Sequence, residues 1–415
     1  MKTKKRNVKY HIDSHHHGLF VKEARLRQGY RLAEVAKDIC DVSYLSKIES
    51  GTLTPSLDVF EKITKKLSIQ FPAIERVCPK EVFRKALYEE NMAIIRSFVA
   101  VETCHHYEIQ LIDFFQAVLE DDLTKATVLK KSIDRFGHHF NSKEEQIYLL
   151  FSGMYFFKKF DWETGETCFK RSLALTAQIG EEDPYLYLQL AKYYFQLQKG
   201  FLGFSYLKQA TEAFKKIFEK AWVFKCDVLW FKEAIKHGDM KNVEAKLEGL
   251  RKMIEPAENP LQWSSFFNIL ALVYEKQKKY MQAEECYYRS MELGGKNVEE
   301  SHIIDTIKFH NTRQNHQQLI KLIEKLEMLD LSAHGRMLVD FYYFKATEPT
   351  SVYFEKFLKQ DALPFALKGR DYEHVGLYTE ELISYYRFKS SYKKVVDAYD
   401  MWKQFCMQLK KIEKI

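Results

Sequence analysis

The segment Ile39-Cys-Asp-Val-Ser-Tyr-Leu-Ser-Lys-Ile-Glu-Ser-Gly51 decides how the first part of this chain folds. Leu45 and Ile48 are apolar residues at i, i+3 spacing, which predicts a short helix with one buried face. Asp41 stands where an N-cap is expected, its carboxylate accepting backbone N–H bonds, and Gly51 suits a left-handed C-terminal stop. The segment therefore predicts a turn followed by a helix whose other face stays exposed.

The residues on either side predict a compact unit of four helices. We expect these helices over residues 19–28, 32–39 and 42–50 and from residue 57 onward, with Gly29 ending the first. Inward-facing apolar residues are expected at Val35, Ala36, Ile39, Leu57, Phe60, Ile63 and Leu67. A short exposed helix that follows a turn has the form required to enter the major groove of DNA.

Composition places the whole chain among helical globular proteins. Its 415 residues are 46% hydrophobic and contain only 8 Pro and 16 Gly, which favours helices over strands and long loops. No apolar run is long enough to predict a membrane span, and the basic N-terminus lacks the apolar stretch of a secretory signal. The seven cysteines are scattered, which predicts thiols in a reducing cytoplasm rather than disulfides or structural zinc.

The positive charge is concentrated near the N-terminus. Residues 1–75 hold 14 Lys and Arg against 9 Asp and Glu, so they carry most of the net charge of +7. This balance fits attraction to the phosphate backbone of nucleic acid, and it fits equally well a generically soluble basic surface. We expect residues 1–17 to form a mobile basic arm that is solvated or touches the DNA backbone.

The order Gly29…Val35-Ala36…Ser43–Gly51…Pro55-Ser56-Leu57 resembles the Cro/phage-repressor (XRE) helix-turn-helix family. The resemblance implies that the 42–50 helix reads the major groove from its N-terminus. The implied base-reading face comprises Val42, Ser43, Ser46 and Lys47. The implied phosphate contacts are Arg31 and Thr52. The turn departs from the family because it reads Asp38-Ile-Cys40, without the common glycine. The alternative for such a unit is a role in protein contacts only.

A different pattern follows from about residue 80. Small residues recur at fixed offsets with large ones beside them, in three copies: Gly153, Gly165 and Ser172; Ala191, Gly203 and Ala210; and Ala271, Ala283 and Ser290. Two antiparallel helices approach closely only where side chains are small, so each copy predicts one helix pair. A weaker copy includes Tyr386, Tyr392 and Tyr399. The pattern resembles tetratricopeptide repeats (TPR), and we expect about seven to nine pairs.

A right-handed superhelix of such pairs, as the resemblance implies, has a concave groove that suits an extended peptide. The predicted groove residues are Phe157, Leu188, Lys192, Phe195, Asn268, Leu272, Asn311 and Asn315. Amides such as Asn268 are suited to bond a ligand's backbone, whereas apolar pockets take its side chains. The alternative for each of these residues is ordinary packing between repeats.

The sequence contains no constellation that predicts an enzyme, a cofactor or a dedicated metal site. It has no Gly-rich phosphate loop, no His-Glu-x-x-His and no nucleophile elbow. A metal site formed by His11 and His15-His16-His17 is the weaker interpretation, and a solvated arm the stronger one. Cys104-His105-His106 is interpreted as a helix with one buried thiol rather than as a nucleophile or metal site.

An XRE-type head followed by a long TPR body resembles the RNPP family of quorum-sensing regulators, above all its long NprR-like members. The resemblance implies an all-α cytoplasmic transcription regulator, usually a homodimer, that binds double-stranded operator DNA under the control of a short signalling peptide. It assigns residues 18–70 to the DNA-binding domain, 71–79 to a linker and 80–415 to peptide binding and dimerisation. The alternatives are a TPR module that sequesters a phosphorelay or other partner protein, and a peptide-independent mobile-element repressor.

Overall fold

A computed structural model describes residues 14–69, 84, 86–88, 106–135, 140–254, 259–326 and 331–412. Every regular element within these ranges is helical, which confirms the predicted all-α fold. The chain divides into two compact units, residues 1–182 and 183–415. In the described part of the chain, no helix has an apolar stretch long enough to cross a lipid bilayer.

The described helices of the first unit are α1 Ser14–Arg27, α2 Leu32–Ala36, α3 Val42–Glu49, α4 Leu57–Lys66, α5 His106–Leu119, α6 Leu123–Ile133, α7 Ser142–Lys158 and α8 Trp162–Ile179. Those of the second unit are α9 Pro184–Gln196, α10 Gly200–Lys216, α11 Lys220–Lys236, α12 Met240–Met253, α13 Pro260–Lys276, α14 Tyr280–Gly294, α15 Glu300–Thr312, α16 His316–Leu326, α17 Ala333–Thr347, α18 Val352–Phe357, α19 Leu363–Lys368, α20 Tyr372–Phe388 and α21 Tyr392–Ile412.

The four-helix head formed by α1 to α4 has the predicted apolar core. Its buried side chains are Val21, Val35, Ala36, Leu45, Ile48, Phe60, Ile63 and Leu67. Of the residues predicted to face inward, Ile39 is only partly buried, and Leu57 is an exposed apolar side chain. Ser56 caps α4, and its hydroxyl accepts the Val59 N–H. The core joins all four helices, so burial of these side chains fixes the position of α3.

Three local predictions for the head were wrong. The first helix begins at Ser14 rather than at Leu19, and α2 ends at Ala36 rather than at residue 39. The helix ends early because Lys37 has a ψ of 130° and Asp38 a left-handed φ of +63°, and neither angle continues the helical path. Asp41 has the extended backbone of an N-cap, but its carboxylate accepts no cap hydrogen bond.

Some predictions fall on residues outside the described ranges. These are the linker at 71–79, the arm as far as residue 13, and Cys104 and His105. Ser14–His17 belong to α1, although they lie inside the range predicted as the arm. The boundaries assigned to the DNA-binding and repeat domains stay predictions.

The three copies of the repeat template are the helix pairs α7/α8, α9/α10 and α13/α14. A Cβ atom added to Gly153 would lie 2.7 Å from the Phe169 ring, and one added to Gly203 would lie 2.5 Å from the Phe195 ring. Such distances leave no room for a side chain. The small residues are therefore the points where the paired helices touch, as the pattern predicted.

Further pairs are more divergent in sequence. The segment near Trp230 is the pair α11/α12, and α15/α16 follows α13/α14. The weak C-terminal copy is the pair α20/α21, where Gly376 approaches Trp402. In that pair Tyr386 is buried, but Tyr392 and Tyr399 are exposed.

Many pairs are joined by the same tight turn, in which one residue other than glycine adopts positive φ. The left-handed residues at these turns are Asp121, Phe160, Gln198, Lys278, Gln314 and Ser390, and Gly238 takes the same conformation in α11/α12. The preference of L-residues against this region is about 1–2 kcal/mol. Packing of the paired helices offsets that preference, so the turns form without the glycine signal on which sequence analysis relies.

Two glycines of the second unit test this packing account. We expect Gly203→Ala to lower the free energy of unfolding by about 1–3 kcal/mol, because the new methyl overlaps the buried Phe195 ring. Gly249 is the matched control, because it lies in α12 with no atom within 4 Å of an added Cβ. Gly249→Ala should raise stability by about 0.5–1 kcal/mol. Urea unfolding followed by circular dichroism measures both, and a stable Gly203→Ala protein would contradict the account.

Candidate functional site

The outward face of α3 is exposed and mostly polar. Val42 is 46% exposed, and Ser43, Ser46 and Lys47 are exposed beside it. The opposite face of the helix is anchored in the core of the head. The carboxylate of Asp41 caps none of the first N–H groups of α3, so those groups stay available to an acceptor such as a phosphate oxygen.

A buried ion pair fixes the C-terminal end of α3. The Arg25 guanidinium on α1 donates two hydrogen bonds to the Glu49 carboxylate, at 2.7 and 2.8 Å. A third N–H of Arg25 reaches the carbonyl oxygen of Tyr30 at 2.9 Å. The hydrogen bond with Glu49 raises the pKa of Arg25, so the arginine stays charged. A two-point contact of this kind restricts rotation of α3 relative to α1.

The two predicted phosphate contacts lie next to this helix. Arg31 is exposed at the start of α2, where its backbone N–H donates to the Glu34 carboxylate at 2.6 Å. Thr52 is exposed just after α3, and its hydroxyl donates to the carbonyl oxygen of Lys47 at 3.1 Å. The Ser50 hydroxyl donates to the same carbonyl oxygen. The head thus presents Arg31, Thr52 and the polar residues of α3 on its described surface.

Asn268, near the middle of α13, is the most unusual polar residue of the second unit. Its side chain has no exposed surface, yet neither its amide nitrogen nor its amide oxygen makes a hydrogen bond of normal geometry. Leaving a buried polar group unsatisfied costs about 1–3 kcal/mol. The amide lies close to the Asp305 carboxyl of α15. Burial raises the pKa of that carboxyl, and Lys232, Lys308 and Asn268 only partly oppose the shift.

Through Asp305 this amide belongs to a network of charged side chains on other helices, and we call the network with the amide the polar cluster: Lys232, Lys236, Asn268, Asp305, Lys308 and Glu373. The ammonium group of Lys236 on α11 lies 2.9 Å from the Glu373 carboxylate on α20, and that of Lys308 on α15 lies 3.4 Å from it. Burial acts to raise the pKa of Glu373, but Lys308 and Lys236 overcome it and bring the pKa to about 2.

The same cluster extends toward the start of α15. The ammonium group of Lys232 donates to the Ser301 hydroxyl at 2.7 Å and lies 3.7 Å from the Glu299 carboxylate. Helices α11, α13, α15 and α20 therefore turn polar side chains toward one another, although long stretches of chain separate them. Donors, acceptors and both signs of charge are therefore connected in one network that includes a buried amide.

The structure separates the other predicted groove residues. Leu188 and Phe195 are buried in the core of the second unit, where the Phe195 ring packs on Gly203 and Phe204. Leu272 is partly buried against the core around α13, and Lys192 is exposed on α9. Phe157 lies in the first unit, where its ring packs edge-on against Trp162 at 5.0 Å.

The polar run after α15 forms a separate feature. The side-chain oxygen of Asn315 accepts the Gln318 N–H at the start of α16. Asn315 also lines a cavity of about 390 Å³ together with Arg313, whose guanidinium stacks over the Tyr280 ring at 4.0 Å. Asn311 is half-buried and does not line this cavity.

Sequence analysis missed the charged members of the polar cluster. Lys232, Lys236 and Glu373 lie on amphipathic helices, where a lysine or glutamate is ordinarily a solvated surface residue. They were missed because their contacts join helices far apart in the chain, a relationship that spacing along one helix does not show. Asn268, by contrast, lies between the apolar residues Phe267 and Ile269, and this local pattern was visible in the sequence.

Comparison with known proteins agrees with this description. The helix-turn-helix family HTH_3 matches residues 21–73. The transcriptional activator NprA of Geobacillus stearothermophilus is 21% identical over 403 residues, which cover 89% of this chain and 98% of NprA. The similarity therefore extends through the repeats as well as the head.

Two solved structures share the repeat fold. The structure of NprR in complex with its cognate peptide NprX has a TM-score of 0.60 and 15% identity, covering 78% of this chain and 98% of NprR. A Rap protein complexed with competence and sporulation factor has a TM-score of 0.59 and 10% identity, covering 80% and 97%. The chain therefore carries a helix-turn-helix domain of the HTH_3 family, is similar to NprA over most of its length, and shares the repeat fold of NprR and of a Rap protein.

Proposed function

We propose that this chain regulates transcription by binding operator DNA through α3, and that a short peptide bound at the polar cluster controls that binding. The observation that carries the proposal is the buried Asn268 amide, which makes no hydrogen bond of normal geometry. The helix-turn-helix match and the similarity to the transcriptional activator NprA support the DNA-binding part. The peptide-bound NprR structure, which has the same repeat fold, supports the other part.

The exposed face of α3 carries suitable chemistry for reading base edges. The Ser43 hydroxyl is able to donate or accept, the Val42 methyls suit a thymine methyl, and the Lys47 ammonium suits the acceptors of guanine. Arg31 and Thr52 would hold the phosphate backbone on either side. Since one head of this size covers only a half-site, we propose that the protein acts as a homodimer. We propose that it acts in the cytoplasm, where its partners are operator DNA and the peptide.

The polar cluster suits an extended peptide for a specific reason. A peptide group offers one N–H donor and one carbonyl acceptor, and the Asn268 side chain offers the complementary pair. Binding would satisfy both amide atoms. The free energy that the unsatisfied amide costs the free protein would then be recovered as binding free energy. Lys232, Lys236, Asp305, Lys308 and Glu373 would select the side chains or the ends of the peptide by charge.

Control of DNA binding requires that the peptide favour one conformation over another. A ligand shifts an equilibrium only by the difference in its affinity for the two states. The ion pairs of Glu373 join α20 to both α11 and α15, so a peptide that inserts between these helices would change their spacing. We propose that this change alters the placement of the two heads of a dimer.

The alternative function is a protein-interaction module that sequesters a phosphorelay or other partner. Large exposed aromatic side chains favour it, because Phe201 and Phe218 are both almost fully exposed on the second unit. Substitution of these two residues with Ser would abolish partner capture under the alternative, and would leave peptide and DNA binding intact under our proposal. A peptide-independent repressor would show no peptide effect at all.

Substitutions on α3 and α2 test which residues read bases and which hold phosphates. With an operator selected from random duplexes, Lys47→Ala and Ser43→Ala should each lower discrimination against a changed base pair by about 1–3 kcal/mol. Arg31→Ala should instead weaken binding to all sequences alike and reduce the salt dependence by about one phosphate contact. Fluorescence anisotropy over a salt series measures both effects.

Lys65→Ala is the control for these variants, because Lys65 is an exposed lysine on α4. It should leave base discrimination unchanged. Equal loss of affinity for matched and mismatched sequences in Lys47→Ala would remove Lys47 from the base-reading face.

Substitutions of Asn268 distinguish a role in ligand binding from a role in core packing. With a peptide selected on the protein from a synthetic library, Asn268→Ala should weaken peptide binding about 5- to 150-fold, the effect of two lost hydrogen bonds. DNA binding by the peptide-free protein should not change. Asn268→Leu should raise the free energy of unfolding by about 1–3 kcal/mol, because an unsatisfied buried amide is removed.

Ser290 on α14 is the control, because it is a buried polar residue whose hydrogen bond is satisfied. Its buried hydroxyl donates to the Ser264 carbonyl oxygen at 2.7 Å, so Ser290→Ala should lower stability by about 1 kcal/mol and leave peptide affinity unchanged. Calorimetry and chemical unfolding measure the two quantities. A destabilised Asn268→Leu protein, or full peptide affinity in Asn268→Ala, would assign Asn268 to the core instead of the ligand site.

A further inference from the structure

Three side chains with metal-binding chemistry meet where α17 and α20 begin. One ring nitrogen of His334, one of His374 and one carboxylate oxygen of Asp371 lie within 4.8 Å of one another. The His334 and His374 rings have their centroids 5.0 Å apart and are nearly perpendicular. Neither DNA reading nor peptide binding, as proposed above, uses these residues.

The orientation of His374 is fixed by Asp371, the N-cap of α20. One carboxylate oxygen of Asp371 accepts the backbone N–H of His374 at 3.2 Å, and the other lies 2.6 Å from its Nδ1. A hydrogen bond at Nδ1 leaves the lone pair of Nε2 free to bind a cation. This carboxylate–imidazole pairing is the usual support of a metal-binding histidine.

The second nitrogen of His374 is the observation that points to a ligand. His374 is only 7% exposed, and its Nε2 atom is buried without a hydrogen-bond partner. The histidine is therefore held in place by one nitrogen while the other is left unsatisfied beside a second imidazole. Packing alone gives no reason to keep such an atom unsatisfied.

The distances suit a transition-metal ion after small side-chain movements. Zinc binds nitrogen and oxygen ligands at about 2.0–2.2 Å, so neighbouring ligand atoms of a tetrahedral site lie about 3.3 Å apart. Two imidazoles and a carboxylate are a ligand set of intermediate hardness, which favours zinc over calcium or magnesium.

We propose that His334, Asp371 and His374 form a binding site for one divalent transition-metal ion of the zinc class. His334 and His374 supply nitrogen ligands, and Asp371 binds the ion or orients His374 toward it. The ion would cross-link the start of α17 to the start of α20. Glu373 of the polar cluster lies between Asp371 and His374 in sequence, so metal binding would also order the helix end that carries it.

The test uses the full chain, stripped with a chelator and titrated with Zn²⁺ in equilibrium dialysis. The histidines at positions 11, 15, 16 and 17 are an independent source of metal binding, so all four are first replaced with Gln. This background protein should retain one equivalent of Zn²⁺. His374→Gln and His334→Gln in the same background should each weaken binding at least about 100-fold, and Asp371→Asn, which keeps an N-cap, about 10- to 100-fold.

Two further measurements keep the outcome unambiguous. His316→Gln is the control, because His316 is an exposed histidine of the same unit and should bind Zn²⁺ as the background protein does. Added Zn²⁺ should raise the unfolding temperature of the background and of His316→Gln but not of His334→Gln. Circular dichroism confirms the fold of each variant. Loss of all binding in the background protein, or unchanged affinity in both His334→Gln and His374→Gln, would overturn the proposal.

Discussion

The close approach of paired helices at small residues is the constraint on which the repeat region depends. Where Gly153 and Gly203 lie, an added Cβ would overlap an aromatic ring of the same pair. The aromatic rings fill the space that the absent side chains leave, so small and large residues are required together. This requirement explains why the pattern survives in the sequence when little else about the repeats is repeated.

The polar cluster joins helices of different pairs. Helices α11, α13, α15 and α20 are each the first helix of a pair, and they turn polar side chains toward one another. Together they bury Asn268, whose amide makes no hydrogen bond of normal geometry, and hold Glu373 between two lysines. The unsatisfied amide is not expected of a face selected for stability alone, because burying it costs about 1–3 kcal/mol. Binding of a ligand with a peptide backbone would recover that free energy.

The head depends on a different kind of interaction. Its core residues were predicted from helical spacing, and eight of the nine residues expected to face inward are buried or partly buried there, whereas Leu57 is exposed. The Arg25–Glu49 ion pair was not predicted, because it joins α1 to α3 across 24 positions. Breaking one partner of such a buried pair is strongly destabilising, so the pair fixes the position in which α3 presents Ser43 and Lys47.

Sequence patterns therefore predicted the repeated helix pairs and the exposed face of α3, but they did not predict the contacts between helices that are distant in the chain. The three template copies and Asn268 were found because their signals are local. The turns at Phe160, Gln198 and Lys278 were not, since the residues there give no sign of positive φ. Leu188 and Phe195 were assigned to the groove from their place in the repeat, whereas the structure buries them in the core, where neighbouring helices contribute the packing.

The central claim is that a peptide at the polar cluster changes the affinity of the heads for DNA. The most direct measurement is operator affinity of the full-length protein, at fixed salt and protein concentration, with and without a saturating peptide that binds at Asn268. The account predicts a change of about 5- to 150-fold, the usual range of coupling between two sites. Equal operator affinity in the two conditions, with peptide binding confirmed by calorimetry, would contradict it.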